Sequence, residues 1–313
     1  MSNAPSKPFS FSRPKVGYFS NRPRIIVCIP KTPQPNRPEE YRHLTLLNAD
    51  LILLARNLTD RMSPWLTSLL HPSQHCRTHR KTIFDASATV SEAIVYTEHS
   101  KQPLCILSID FKEAFDSISH AYIFTLVTTY GFSARFKACI QGMYSNTTSF
   151  ILINGHTSGT IPIKSSVRQG CPLSMQLFTL CLGPLLRDLE KSLTGTLFGN
   201  NNTKTAVITY AEDVTLLVTS LSELPRFRTI IDQYGAASGA KINISKSKAL
   251  AVGEWDTSVD IIGIQYHREM KIRGAHFTNS VKQSAQKSWT KLTGVLRSQA
   301  INAYSMLTPE SYV

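Results

Sequence analysis

The sequence is short of acid. Its 21 Asp and Glu residues stand against 34 Lys and Arg, leaving a formal charge of +13. That surplus argues against a basic partner and favours a polyanion, nucleic acid before membrane. Cysteine is sparse and scattered, at Cys28, Cys76, Cys105, Cys139, Cys171 and Cys181 with no CxxC spacing. This pattern excludes a disulfide framework and points to a reducing compartment. His75, Cys76 and His79 crowd together but have no second pair, so a two-plus-two zinc knuckle is not expected. Apolar runs long enough to span a bilayer are missing, and no apolar leader follows Met1. The expected setting is therefore intracellular, nucleus or cytoplasm, with no membrane partner. No internal repeat is evident.

What is present suffices for a sizeable core. The 313 residues are 42% hydrophobic, enough for one large domain or two lobes. Residues 1–24, rich in Pro, Ser, Lys and Arg, read as a disordered basic arm. Ile25–Ile29 reads as a short buried strand, followed by a proline-rich loop over Thr32–Glu40. Leu51, Leu54 and Leu58 mark a helix from Asn48, and Pro64 opens a separate segment ending near Leu70. A helix from about Ser87 turns Val90, Ile94 and Val95 inward. Ser119 and Ser133 look like N-caps of two more helices, the first ending at Gly131. Phe150–Ile153 and Thr160–Ile163 flank Asn154-Gly155 as a hairpin with a somewhat long turn. A helix after Pro172 buries Leu177, Leu180, Cys181 and Leu185, and Gly183-Pro184 should bend or end it. Leu224, Phe227, Ile230, Ile231 and Tyr234 form a helical stripe, and Asp260–Ile264 a short strand. A last helix, about Asn279 to Ala300, carries Val281, Ala285, Leu292 and Val295 on its apolar face.

Two stretches bear on chemistry. Leu104–Ile109 is a continuous apolar run that stops at Asp110, as expected of a central strand buried on both faces. Ala206–Tyr210 and Val214–Val218 are β-branched flanks around Glu212 and Asp213 and read as a hairpin with two carboxylates at its tip. Acids between apolar strands are costly to bury without a cation. A solvated acidic turn is the plain alternative. If the two stretches are neighbours, three carboxylates converge at one sheet edge. Mg²⁺ takes one or two carboxylates together with substrate phosphates, and paired metals clamp an in-line phosphoryl displacement.

These residues sit in ordered motifs. Ser108 through Ser117, Val167 through Ser174, Tyr210-Ala211-Glu212-Asp213, Gly239 through Asn243 with Lys246, and Ile262-Gly263-Ile264 resemble, in order, the motifs of reverse transcriptases of non-LTR, LINE-type retrotransposons. Pro30-Lys31, Tyr41-Arg42, Leu46-Leu47-Asn48 and Gln74 through Arg80 are similar to that family's upstream segment. The resemblance covers about Ile25 to Ala300. It implies an α/β right-hand polymerase, with fingers and palm over 25–272 and the start of a thumb over 273–313. It implies RNA-directed DNA synthesis on an RNA template from a DNA primer with dNTPs and two Mg²⁺ ions, Mn²⁺ serving as a substitute. Asp110, Glu212 and Asp213 would be catalytic metal ligands, helped by the Phe111 carbonyl. Arg80, Phe115, Gln169, Gly170 and Lys246 would hold the nucleotide, with Phe115 excluding a 2′-hydroxyl, and Arg168 would either face the template or serve a structural role. Lys31 is a lesser candidate for gripping the triphosphate, and Lys246 or Lys241 would protonate the leaving pyrophosphate. Phe115 also reads as an ordinary core ring, and the lysines as solvated.

This chain departs from the family at several of these places. Glu212 stands where the family has Asp, Met175 where proline is usual, and His43-Leu44 where Pro-Ile is usual. The segment Gln74–Arg80 is one residue short, which bears on Arg80. These departures leave open an inactive retroelement remnant that at most binds nucleic acid. A different two-metal enzyme such as a nuclease would not account for Arg168 through Ser174.

Overall fold

A computed structural model describes residues 23–76, 78, 81–198, 203–291 and 293–294. Its centre is a five-stranded sheet, in the order Val207–Tyr210, Asp213–Val218, Leu104–Ile109, Lys248–Val252, Gln265–Tyr266. Adjacent strands are antiparallel except the last pair. The central strand alternates between two cores because side chains in a strand point to opposite faces. Cys105, Leu107 and Ile109 join a large core with the helices Ala49–Leu69, Ser174–Ser192 and Leu224–Ser238. Leu104 and Ile106 face a smaller one with the helix Ile83–Ser100 and the hairpin Glu269–Ile272/Ala275–Thr278. Burial on both faces is what the unbroken apolar run anticipated.

A second sheet joins Tyr41–Leu46, Arg24–Pro30 and Thr147–Ile153, which pairs in turn with His156–Thr157 and Ile161–Ile163. The Tyr41–Leu46 strand was not legible in the sequence. Arg24–Pro30 is mostly half-buried rather than buried. Arg24 belongs to this strand and is itself buried, so the 1–24 boundary cuts into structure; residues 1–22 lie outside the described residues.

Several local expectations change. Ala49–Leu69 is one helix that runs through Pro64. Pro64 is exposed, so the carbonyl one turn back, which loses its N–H partner, can bond to water. The next helix begins at Ile83, earlier than Ser87, because Thr82 and Asp85 form a capping box. Such a cap is worth about 1 kcal/mol. Val95 is exposed in this helix. Ser119 and Ser133 cap as expected, accepting from Tyr122 N and Phe136 N. Asn154 and Gly155, both at positive φ, make a tight two-residue turn pairing Ile153 with His156, so the turn is not long. Ser174–Ser192 continues through Gly183-Pro184 and is buried almost all round its first half. Gly183 makes room for the Tyr130 hydroxyl, which a Cβ at 2.4 Å would push aside. Ile261 and Ile264 form only a bridge across Ile262 and Gly263, both at positive φ, so the expected strand is a turn. In the last helix Ala285 is exposed and Ser284 is buried, its hydroxyl accepting from Thr278 N. Leu292 and Val295 lie outside the described residues. The six cysteines are free.

Candidate active site

Register fixes the acidic corner. Ile109 pairs with Val214, so Asp110 and Asp213, the next residues along, end neighbouring antiparallel strands at the same edge. Tyr210 pairs with Asp213 across a two-residue turn in which Ala211 takes φ 55. Gln74 holds that turn. Its side chain is fully buried, accepts from Ala211 N at 2.9 Å and donates to Ala211 O at 3.2 Å. Ser73 and His75 bond Thr209 on either side and cover the free edge of Val207–Tyr210. In the sequence Gln74 stands out only as part of a segment; its role as a clamp depends on a contact far away in sequence.

Asp110 and Glu212 both line an open cleft of about 1390 Å³. Burial raises the Asp110 carboxyl above its ordinary range, while Lys246 and a hydrogen bond from Asn243 pull it down. Ser247 Oγ accepts from Asp110 N at 3.0 Å, and Asn243 N donates to Asp110 O at 2.7 Å, so the Asn243–Ser247 turn braces the strand end. Glu212 is raised by burial and by the neighbouring charges of Asp213 and Asp110, with its own backbone and Arg42 acting against them. Asp213 is raised by loss of water on its protein side, against the pull of Arg273. As a residue it is exposed, and it is not among those lining the cleft. Arg273, also unanticipated, donates to the carbonyls of Ile208 and Asp213 at 3.1 and 3.0 Å and so ties the acidic hairpin to Glu269–Thr278. That hairpin straddles the expected boundary at 272/273.

The cleft also gathers Phe111, Phe115, Gln169, Gly170 and Lys246. Phe115 stacks on Phe178 at 4.6 Å, which fixes its ring against the core. Gly170 has φ +99, and a Cβ there would meet Leu44 Cδ1 at 3.0 Å and Thr45 O at 3.2 Å. Only glycine lets this loop lie so close to the Tyr41–Leu46 strand. For Arg168 the geometry favours the structural reading. Its guanidinium lies 4.4 Å over the Tyr144 ring and donates to the Met143 carbonyl, with 3% of the residue exposed. Although it borders the cleft, almost none of it is open to a template strand, and it serves as an anchor for the loop. Arg80 lies outside the described residues. Lys31 donates to Glu39 O on the far side of the same cleft, and Lys241 lines it too.

Among the described residues, no group of three or more His, Cys, Asp or Glu side chains is gathered tightly enough to hold a metal ion by itself. Two carboxylates that face one cleft still match Mg²⁺, which completes its shell with water and phosphate oxygens. No helix is long and apolar enough to cross a membrane among the described residues.

A family model described as "Reverse transcriptase (RNA-dependent DNA polymerase)" matches residues 29–266. The chain is 31% identical over 235 residues to the "Transposon TX1 uncharacterized 149 kDa protein" of Xenopus laevis, covering 75% of this chain and 18% of that protein. It is 27% identical to the "Retrovirus-related Pol polyprotein from type-1 retrotransposable element R2" of Popillia japonica, covering 72% of this chain and 31% of the relative. The chain thus spans less than a third of either relative. Among solved structures, apo telomerase from Candida tropicalis superposes with a TM-score of 0.56 at 11% identity, over 86% of this chain and 49% of that one. Telomerase from Candida albicans in complex with a fragment of telomeric RNA gives 0.52 at 11% identity, over 82% and 46%. At that identity the likeness concerns the fold, which is the mixed α/β fold expected from the motifs.

Proposed function

Because this chain belongs to the reverse transcriptase family, on its LINE-type retrotransposon side, we propose that it is the fingers and palm of an RNA-directed DNA polymerase, continued by the start of a thumb. The observation that carries this reading is the meeting of Asp110 and Glu212 in one cleft with Phe115, Gln169 and Gly170. Reverse transcriptases use divalent metal ions. Here Asp110 and Glu212 would hold them, with Asp213 and the Phe111 carbonyl assisting. Bound metal supplies charge neutralisation for the entering and leaving oxygens of nucleotidyl transfer. The chain's own residues do the rest. The Phe115 ring, rigid against Phe178, excludes a ribose 2′-hydroxyl. Gly170 allows the loop to approach the nascent base pair. Lys246, close enough to Asp110 to act on its charge, is placed to donate a proton to departing pyrophosphate. The surplus of Lys and Arg holds an RNA template and a DNA primer by their phosphates.

Primer extension with oligo(dT) on poly(A), dNTPs and Mg²⁺ tests the reading. Extension that Asp110→Ala abolishes is the expected outcome, and none even after Glu212→Asp would refute it. A second reading has its own support in Glu212, whose extra methylene departs from the family. On that reading the chain is a remnant that retains nucleic-acid binding. The polymerase reading, and a remnant that still binds, require affinity for RNA–DNA hybrid to fall steeply between about 50 and 200 mM salt as counterions are released; a flat response removes the nucleic-acid partner.

A further inference from the structure

The carboxylate of Asp116 lies in the short helical turn Ala114–Ser117, beyond the acidic corner. It reaches two residues far away in sequence. Oδ1 accepts from Ser166 Oγ at 2.8 Å, and Oδ2 accepts from Gln169 Nε2 at 2.9 Å. We infer that Asp116 is a positioning residue that fixes the direction of the Gln169 side-chain amide, so that Gln169 offers a carbonyl oxygen to the nucleotide. This rests on the polymerase reading, which puts a nucleotide in the cleft.

The argument starts from donor and acceptor chemistry. An ionised carboxylate has only acceptors, whereas a glutamine amide has an acceptor at one end and two donors at the other. A glutamine against Asp116 must therefore turn its NH₂ inward. Its terminal torsion is otherwise soft, so nothing intrinsic to glutamine makes that choice. Burial raises the Asp116 carboxyl, while the hydrogen bonds from Ser166 and Gln169, with His43 nearby, favour the charged form.

The surroundings leave the amide as the one free variable. The loop is pinned to Phe115–His120 through Val167 N to Phe115 O, Ser166 N to Ile118 O, and His120 Nε2 with Ser166 O. Arg168 N donates to Ser166 Oγ, and the Arg168 guanidinium is anchored on Tyr144 and Met143. Ser166 at φ 96 and Arg168 at φ 36 are held in the left-handed region, which non-glycine residues avoid without such over-determination. Gln169 and Gly170 line the cleft with Asp110 and Phe115. With one N–H committed to Asp116, Gln169 turns Oε1 away from the carboxylate and toward a ligand. That atom attracts a hydroxyl or N–H donor, which the nucleoside part of a dNTP offers and the triphosphate does not.

The test uses two readouts. In the first, protein on a poly(A)–oligo(dT) hybrid with a chain-terminated primer 3′ end is titrated with dTTP in Ca²⁺, so nucleotide retention is measured without chemistry. Asp116→Asn, which lets the Gln169 amide flip, should weaken dTTP by about fivefold to tenfold, the scale of one hydrogen bond. Inorganic triphosphate affinity should not change. Gln169→Glu should weaken dTTP by repulsion from Asp116, and adding Asp116→Asn to it should recover affinity, because Asn then donates to a carboxylate that again shows an acceptor outward. A purely structural Asp116 would give additive losses without recovery, and that result overturns the proposal. The second readout needs no nucleotide: with ¹⁵N-glutamine labelling, the Gln169 side-chain NH₂ should be protected from solvent exchange in the parent and released in Asp116→Ala. Free exchange in the parent also overturns it. Protected Gln169 in a protein that retains no dTTP keeps the orientation and counts against the polymerase reading instead.

Discussion

Glu212 is the position at which the polymerase and remnant readings can be told apart by one methylene's difference in side-chain length. It occupies the second place of a two-residue turn whose first residue, Ala211, is held at φ 55 by a reciprocal pair of hydrogen bonds with the Gln74 side chain. The backbone at this turn cannot retreat to offset a longer side chain. The extra methylene therefore carries the carboxylate forward by roughly 1 Å, and a misplacement of that size costs on the order of 10²-fold in rate. Glu212→Asp should raise primer extension in Mg²⁺ by about 10-fold to 10³-fold, equivalent to roughly 1.4–4 kcal/mol of barrier. Adding Asp110→Ala should erase the gain, while hybrid affinity stays unchanged in all variants. Mn²⁺ should partly rescue the parent. The assay is initial-rate extension of labelled oligo(dT) on poly(A) at matched occupancy. Parental activity equal to that of Glu212→Asp would refute the geometric penalty.

Phe115→Val should admit ribonucleotides while keeping dNTP incorporation measurable in the Glu212→Asp background; unchanged discrimination would leave Phe115 as a core ring stacked on Phe178. Gly170→Ala should destabilise the fold by about 1–3 kcal/mol in denaturant melts, because φ +99 and the contact with Leu44 both resist a Cβ. His120 is buried, and loss of water, then Arg168, lowers its imidazole from 6.5 to about 4. The unfolded chain then takes up a proton first as pH falls, so stability declines between those two values at up to about 1.4 kcal/mol per pH unit. His120→Gln should therefore lose less stability than the parent from about pH 7 to about pH 5. An equal loss would mean that this proton is not coupled to folding.

The sequence alone determined the elements with a strong local signature. Leu104–Ile109 announced itself as a strand buried on both faces because its run is continuous and ends at an acid. Ser119 and Ser133 announced their helices because an N-cap is a local hydrogen bond. The order of the motifs around Asp110, Gln169, Gly170 and Glu212 carried the family, and the family carried the expectation of one cleft. Tertiary structure decided what depends on partners remote in sequence. Pro64 and Gly183-Pro184 were tolerated because packing outweighs one lost helix hydrogen bond. Tyr41–Leu46 became a strand because Arg24–Pro30 pairs with it, although its own pattern is weak. Arg168 looks like any arginine beside a nucleic-acid motif, and only the Tyr144 ring beneath it makes it an anchor. Gln74, Asp116 and Arg273 act through contacts that span from 50 to 137 positions. Such separations leave no periodicity for a sequence to display, because a hydrogen bond that closes only on folding is encoded in no local window.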